Sequence, residues 1–402
     1  MCVPSTLPAD RAIAPPLRAP ELRTPEPRTP DLRTSELRAP GLRALEGLRG
    51  YACVIVVLHH FALGFLPGLK ANMSDGVVAY TFGWLLNGTA AVYVFFVLSG
   101  FVLTLKFYQT TDPRILLMAA VKRLPRLWPA AAYGVLLGYL ALVLQLNGNG
   151  AAAAISGSDW LAQFAYSDQS HAPSLVRAAK ESVRMFLKFR TLQFNTNLWT
   201  MVAEFYGSLL ALCAAFVVGY LLTGRPVRPL RLVVGLLLAL ALVAINLAIP
   251  KQLGWSFTIG ALIAYAYVRQ RFLPKGAAIV CSILGLMLLG APVVGQAMLG
   301  AALLVWGVTT PGASPRLLTG DFGQFLGRWS FPLYISHTIG ILTLASFAYS
   351  QTAPYGPQIQ LATSFAATWA FAIVFAYPVL RWEAWYLPRL NRGMQRIFTT
   401  KA

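Results

Sequence analysis

The sequence predicts an all-α, polytopic membrane helix bundle of about ten transmembrane helices. Of its 402 residues, 57% are hydrophobic and only 12% are charged, whereas an ordinary soluble domain carries about 25% charged residues. The apolar residues fall into successive runs of about 20, the length that one helix needs to cross a bilayer. The net charge of +19 comes mostly from short basic segments between these runs, so we expect membrane lipids around the protein and no nucleic-acid partner.

The N-terminal segment, residues 1 to 43, differs in composition from the rest of the chain. Arginine recurs there every five residues, at positions 18, 23, 28, 33, 38 and 43. Recurrent proline opposes a stable helix, and the segment has too few apolar residues for a core. We therefore predict a disordered cytoplasmic tail, followed by a membrane domain over residues 44–392 and a short basic cytoplasmic tail over residues 393–402.

Ten spans are predicted within the membrane domain. They lie at roughly 48–66, 80–107, 128–146, 198–223, 231–249, 254–269, 276–294, 296–310, 329–350 and 361–381. Basic segments follow the second, fourth, sixth, eighth and tenth spans when the N-terminus is placed in the cytoplasm. We therefore expect a multi-pass protein of the plasma (inner) membrane with both termini inside.

One segment, residues 147–197, fits this arrangement less simply, because it falls outside and yet carries a cluster of Lys and Arg. Apolar residues are interspersed among Arg177, Lys180 and Arg184. This spacing predicts a basic amphipathic helix that lies along the membrane or caps the spans.

Arg49 and His60 are the candidate functional pair of the first span. They are eleven residues apart, which on a helix places them within about 20° of one face and about 16 Å apart along the axis. Ionisable groups at membrane depth are expensive and are usually functional. His59 points about 80° away from Arg49, so we prefer a packing or interhelical hydrogen-bonding role for it.

Two more titratable residues are predicted at a similar depth. His337 lies about 12 Å into the ninth span, and Glu204 lies about 21 Å above the inner face. Together with His60 they would occupy a central slab about 10 Å deep. A histidine there can act as a general base or accept an acyl group, and Glu204 can orient it. The alternative is that each side chain only bonds a neighbouring helix.

Arg123 and Arg126 stand three residues apart at the predicted inner end of the third span. This spacing places both guanidinium groups on one side of a turn, where they can clamp phosphates. Topological anchoring explains them equally well. In the second span, small Ser99 and Gly100 allow a helix or a ligand to approach the backbone, and close packing is the simpler explanation. No zinc motif or metal-ligand cysteine spacing is present, so no metal is expected.

Five segments together resemble the integral-membrane acyltransferase family 3. They are Leu-Glu-Gly-Leu-Arg-Gly (45–50) through His60, Phe-Phe-Val-Leu-Ser-Gly-Phe (95–101), Lys-Arg-Leu-Pro-Arg-Leu-Trp-Pro (122–129), Asn-Leu-Trp-Thr-Met-Val-Ala-Glu-Phe-Tyr (197–206) and Phe-Pro-Leu-Tyr-Ile-Ser-His (331–337). They occur in the order typical of that family and cover most of the chain after the tail. Glu46 stands where that family more often has Asp.

The resemblance implies transfer of an acyl group, usually acetyl from acetyl-CoA, to a hydroxyl of a carbohydrate or a related small-molecule acceptor. It implies His60 as the catalytic base or transient acyl carrier. The other residues that match the motifs of the family are Arg49 and Glu204, expected in catalysis, and Arg123 and Arg126, expected to bind CoA. We further expect Ser99 to help to bind CoA, and His337 and Trp199 to support the site. The acceptor, the acyl length and the oligomeric state stay open.

Two other functions remain open on the sequence. A transporter or exporter of a glycan or metabolite could use His and Glu residues at mid-membrane as a proton relay or substrate path. A membrane scaffold could use the arginine-rich tail to recruit partners.

Overall fold

The computed structural model describes residues 40–164, 173–187, 192–222, 229–248 and 253–399. These residues form a helical membrane bundle, as predicted, and contain no strand. The predicted N-terminal tail lies outside the described residues, except for its last four positions, which begin the first helix. The α-helices are α1 Pro40–Phe65, α2 Pro67–Asn72, α3 Gly76–Phe82, α4 Gly88–Thr110, α5 Pro113–Val143, α6 Asn149–Ser156, α7 Asp159–Ala162, α8 Leu175–Arg184, α9 Thr200–Leu222, α10 Pro229–Ala248, α11 Leu253–Val268, α12 Lys275–Leu289, α13 Val294–Thr309, α14 Arg316–Thr319, α15 Asp321–Gly340, α16 Ser346–Thr352 and α17 Pro357–Thr399.

Each of the ten predicted spans coincides with a helix among the described residues. Six helical stretches are long and apolar enough to cross a membrane. They contain α1, α4, α5, α9, α15 and α17. Four of the predicted spans, α10 to α13, are shorter apolar helices. The predicted basic helix of the 147–197 segment is α8, which packs against α5.

Several predicted boundaries were wrong. The second span does not begin at residue 80, because the chain there forms α3 and a 3₁₀ turn, Gly83–Leu86, before α4. The Asn87 side chain caps α4 by accepting the Ala90 N–H. The third span begins at Pro113, where Asp112 caps α5, so Arg123 lies about 15 Å inside the helix instead of at its inner end. α17 continues through most of the predicted C-terminal tail.

Two helices organise the bundle around the candidate site. α4 packs against α1, α9, α11 and α13, while α15 packs against α1, α5 and α17. Glycine permits the closest approaches. A Cβ on Gly100 would lie 2.1 Å from the Phe257 carbonyl oxygen of α11, and one on Gly50 would lie 2.5 Å from the Gly327 nitrogen of α15. We call the end of the bundle at which α1 begins the basic end, because Lys106, Arg114, Arg328 and Arg389 lie there.

Candidate active site

A cavity of about 310 Å³ lies between α1, α4, α5, α9, α15 and α17. Its wall is largely apolar but carries seven charged side chains. These are Glu46, Arg49, Arg123, Arg126, Glu204, Arg328 and Glu383. Ionisable groups are rare within a helical bundle of this kind unless they serve a ligand or one another, so their partners decide what the cavity can bind.

Arg49 joins α1 to α15. Its Nε donates to Ser330 Oγ at 3.1 Å, and its Nη2 donates to Glu46 Oε1 at 2.7 Å and to the Gly327 carbonyl at 3.1 Å. The close approach of the two helices at Gly50 brings the two acceptors of α15 within reach, while Glu46 lies one turn away on α1 itself. The Arg49 side chain is therefore fixed on the cavity wall, with its charge balanced by Glu46.

Arg123 and Glu204 form a second ion pair, between α5 and α9. Arg123 is 4% exposed and also donates from Nε to Ser208 Oγ at 2.8 Å. Ser99 Oγ donates to the same carboxylate oxygen, Glu204 Oε1, at 2.6 Å. Oε2 accepts no hydrogen bond from the described residues. This network closes the ring of helices around the cavity and occupies the guanidinium of Arg123.

Arg126 differs from Arg49 and Arg123. It lines the cavity one turn from Arg123, yet within the described part of the chain it forms no hydrogen bond or ion pair. Arg328 and Glu383 also line the cavity, and they likewise form no hydrogen bond or ion pair among the described residues. Glu46 and Glu204 are already paired, and Glu383 lies close enough to Arg126 for their charges to attract each other. The four arginines and three glutamates of the wall leave the cavity with an excess positive charge available to a ligand.

His60 of the first span and His337 of the ninth span are in direct contact. His60 Nδ1 lies 3.2 Å from His337 Nε2, and Asn197 Nδ2 lies 2.9 Å from the same His337 nitrogen. His337 is fully buried, whereas His60 is partly exposed. The predicted common depth of His60 and His337 thus corresponds to a contact, while Glu204 contacts neither ring in the described structure.

The hydrogen-bond network assigns the tautomers of both rings in their neutral forms. His337 Nδ1 faces the Leu333 and Tyr334 carbonyls at 3.1 and 3.0 Å, so it carries the proton and leaves Nε2 as an acceptor. His60 Nδ1 faces the Val56 carbonyl at 3.0 Å as well as His337 Nε2, so it is also a donor. The remaining nitrogen, His60 Nε2, therefore holds a free lone pair.

Tyr334 lies between the cavity and His337. It lines the cavity together with Thr200, and its hydroxyl is 2.8 Å from both Thr200 Oγ1 and the Asn197 carbonyl oxygen. Its ring centroid lies 5.9 Å from that of His337, one helical turn further along α15. Neither His60 nor His337 lines the cavity itself, whereas Tyr334 both lines the cavity and packs against the His337 ring.

The structure thus brings most of the sequence-predicted residues to two adjacent sites. Five of them line the cavity, namely Arg49, Ser99, Arg123, Arg126 and Glu204. Trp199 is partly buried against the main apolar core and lines neither site. His59 Nδ1 donates to the Leu86 carbonyl at 2.7 Å, a bond between α1 and the 3₁₀ turn that agrees with the predicted packing or interhelical hydrogen-bonding role.

Sequence reasoning missed several residues of the site. Asn197, Thr200 and Tyr334 lie within the motif segments, and the one-turn spacing from Tyr334 to His337 was the available signal. Glu383 is an isolated acid in a basic stretch beyond the predicted tenth span, and nothing in its local pattern points to the cavity. No group of three or more potential metal ligands is found among the described residues.

Comparison with known proteins identifies the family. A family model described as an acyltransferase domain, of the acyltransferase 3 type, matches residues 42–379. Comparisons with curated proteins and with solved structures gave no match. The matched region contains both ion pairs, both histidines and most of the cavity wall, and it covers most of the chain. The protein therefore belongs to the integral-membrane acyltransferase family 3.

Proposed function

We propose that this acyltransferase moves an acetyl group from acetyl-CoA to a hydroxyl of a carbohydrate or related small molecule. The observation that carries the proposal is the free lone pair of His60 Nε2, which the hydrogen bonds to His337 and Val56 leave available. A neutral imidazole with its other nitrogen held by a partner is the arrangement that general-base and nucleophilic histidines use.

Arg126 and Arg328 are the residues that we expect to hold the CoA phosphates. Both are cavity-lining cations with no ion-pair partner among the described residues. The cavity volume, about 310 Å³, is at the lower end of the range of about 300 to 1,000 Å³ for ligand pockets. It suits the pantetheine arm and the thioester, with the nucleotide at the basic end. Arg123 and Glu204 then shape the cavity through their ion pair.

In the proposed reaction His60 Nε2 takes the proton of the acceptor hydroxyl. The hydroxyl oxygen forms a bond with the thioester carbonyl carbon, the carbon–sulfur bond breaks, and the leaving thiolate receives the proton from His60. The protonated His60 donates from Nδ1 to His337 Nε2, which stabilises the added charge. The same lone pair can instead bond the thioester carbonyl carbon as the carbon–sulfur bond breaks and the thiolate leaves. In a second step the hydroxyl oxygen takes the acetyl group as the carbon–nitrogen bond breaks, and the hydroxyl proton goes to the thiolate. Either route requires Tyr334 to admit the thioester.

The proposed orientation places the basic end and both termini in the cytoplasm, where acetyl-CoA is available, and the protein in the plasma membrane. The clustering of Lys106, Arg114, Arg328 and Arg389 at that end supports this orientation. His60 lies beyond the cavity, on the side away from the basic end, so the acceptor approaches from the opposite end.

Transfer of labelled acetyl from acetyl-CoA by the purified full-length protein in proteoliposomes tests the proposal. We expect label on one member of a panel of mono- and oligosaccharides and equimolar release of the CoA thiol. Protein-free liposomes provide the background. If the protein instead moves a saccharide across the bilayer and never releases the thiol, it is a transporter and the proposal is wrong.

A further inference from the structure

A second cavity, of about 230 Å³, lies at the end of the bundle opposite the basic end. It is formed by α2, the 3₁₀ turn, the first turns of α4 and the connection between α12 and α13. We call it the Lys70 pocket. Its polar lining comes from Lys70, Ser74, Asn87, Thr89 and Tyr93.

Tyr93 provides the first indication of a ligand. Its side chain is 1% exposed, and its hydroxyl has no hydrogen-bond partner in the described structure. Buried polar groups are almost always hydrogen-bonded, and leaving one unsatisfied is costly. Because Tyr93 lines the Lys70 pocket, a polar ligand there would satisfy the hydroxyl.

Lys70 provides the second, independent indication. Its ammonium is partly buried and donates to Ser74 Oγ at 2.7 Å, and no carboxylate of the described chain lies within ion-pairing distance. Partial burial lowers the pKa of the ammonium below its usual value. Asp75, the next acid along the chain, caps α3 through the Gly76 N–H and does not line the pocket. A bound anion would supply the missing counter-charge.

The pocket walls are tied together before any ligand binds. The Asn87 side chain accepts the Ala90 N–H of α4 and donates to the Leu289 carbonyl at 2.9 Å. A Cβ on Gly290 would lie 1.8 Å from the Ala79 carbonyl oxygen, so α3 packs directly against the wall formed by the connection between α12 and α13. Fixed walls reduce the entropy that a ligand would otherwise lose on ordering them.

The Lys70 pocket also lies close to the proposed catalytic histidine. The ring of His59 packs directly against Gly88, which lies between the pocket residues Asn87 and Thr89. The His59 and His60 ring centroids are 5.1 Å apart. The pocket is therefore one side chain away from His60, on the side away from the arginine-lined cavity.

We propose that the Lys70 pocket binds the acyl acceptor, and that this acceptor is a sugar or related polyol carrying a carboxylate or phosphate group. Lys70 pairs with the anionic group, and the Tyr93 hydroxyl bonds a hydroxyl of the sugar. The assignment to the acceptor rests on the proposed acyltransferase function, whereas the anion preference of the pocket rests on Lys70 and Tyr93 alone.

Saturation-transfer NMR on the full-length protein in nanodiscs tests this proposal without needing turnover. The probes are digalacturonate for the carboxylate, glucose 6-phosphate for the phosphate, and maltose as a neutral sugar. We expect the wild type to prefer at least one anionic probe, and Lys70→Met to weaken its binding about tenfold, the size of one charge-assisted hydrogen bond. Tyr93→Phe should weaken the binding of all three probes while leaving the Tm of the protein unchanged.

Lys106→Met, which removes an exposed lysine at the basic end of α4, is the matched control and should keep the preference. Equal binding of maltose and the anionic probes by the wild type, or an unchanged preference in Lys70→Met, would overturn the proposal. Acetyl-CoA binding and transfer are measured on the same samples. If the wild type prefers an anionic probe but transfers no acetyl group, the proposed acyltransfer is wrong and the anion preference of the Lys70 pocket is retained as a separate result.

Discussion

At the scale of single residues, side chains that were predicted to act together contact different partners. Glu204 was predicted to assist His60, but its carboxylate is bonded to Arg123 and Ser99. The residue that supports His60 is His337, held in one tautomer by two backbone carbonyls and by Asn197. These residues could be identified from the sequence because polar and ionisable side chains are rare in membrane spans. Their spacing along the chain could not assign their partners.

His337 substitutions test the tautomer assignment. His337→Gln offers an amide oxygen that can still accept from His60 Nδ1, whereas His337→Leu leaves that donor without its acceptor. We expect kcat to fall about 10- to 100-fold in His337→Leu, the usual effect of losing a group that orients a functional histidine, and to fall less in His337→Gln. The KM for acetyl-CoA should not change. Equal activity of the two variants would show that His337 does not act on His60 as a hydrogen-bond acceptor.

Substitutions of Arg123 and Arg126 in α5 are expected to impair different properties of the protein. Arg126→Ala should weaken acetyl-CoA binding about tenfold or more, because a charged contact to phosphate is lost, with little change in Tm. Arg123→Ala should instead lower stability by about 3 to 5 kcal/mol, because it leaves the Glu204 carboxylate buried without its partner. Calorimetric titration with acetyl-CoA and thermal unfolding in detergent measure the two effects. Identical profiles for the two variants would contradict the assignment.

At the scale of elements, the sequence predicted where helices lie better than where they begin. The start of α5 was missed because the basic residues between 114 and 126 lower its hydropathy, while the helix is held by the Asp112 cap and by tertiary contacts. Similarly, the depth of Glu204 was predicted from an outer start of the fourth span. The chain before α9 is in fact buried, with Asn195 and Asn197 2% exposed and bonded to α15. α9 therefore begins within the bundle.

The contact of α4 with α11 depends on glycine and can be tested by adding one methyl group. Gly100→Ala should destabilise the bundle by about 1 to 3 kcal/mol, the usual cost of overpacking, since its Cβ would overlap the Phe257 carbonyl. Gly276→Ala is the control, because a Cβ at that helical position meets no atom within 4 Å. Thermal unfolding in detergent should show a lower Tm for the first variant only. A Tm equal to that of the control would mean that α4 and α11 can move apart without a loss of stability.

At the scale of the whole molecule, the bundle places three sites in series. The arginine-lined cavity lies towards the basic end, Tyr334 lies between it and the His60–His337 pair, and the Lys70 pocket lies on the far side of His60. Composition and the length of the apolar runs were enough to predict the helical bundle, and helical spacing predicted a common depth for His60 and His337. They could not predict the separation of cavity and histidines by Tyr334, which follows from how α9 and α15 pack.

The most direct test of this arrangement is acetyl transfer by His60→Gln, measured beside acetyl-CoA binding on the same purified protein in nanodiscs. We expect binding to persist and kcat to fall about 100- to 10,000-fold, the contribution of a general base. His59→Gln, which changes the adjacent histidine, should keep most of the activity. Transfer by His60→Gln at the wild-type rate would contradict the assignment of His60 as the base or acyl carrier.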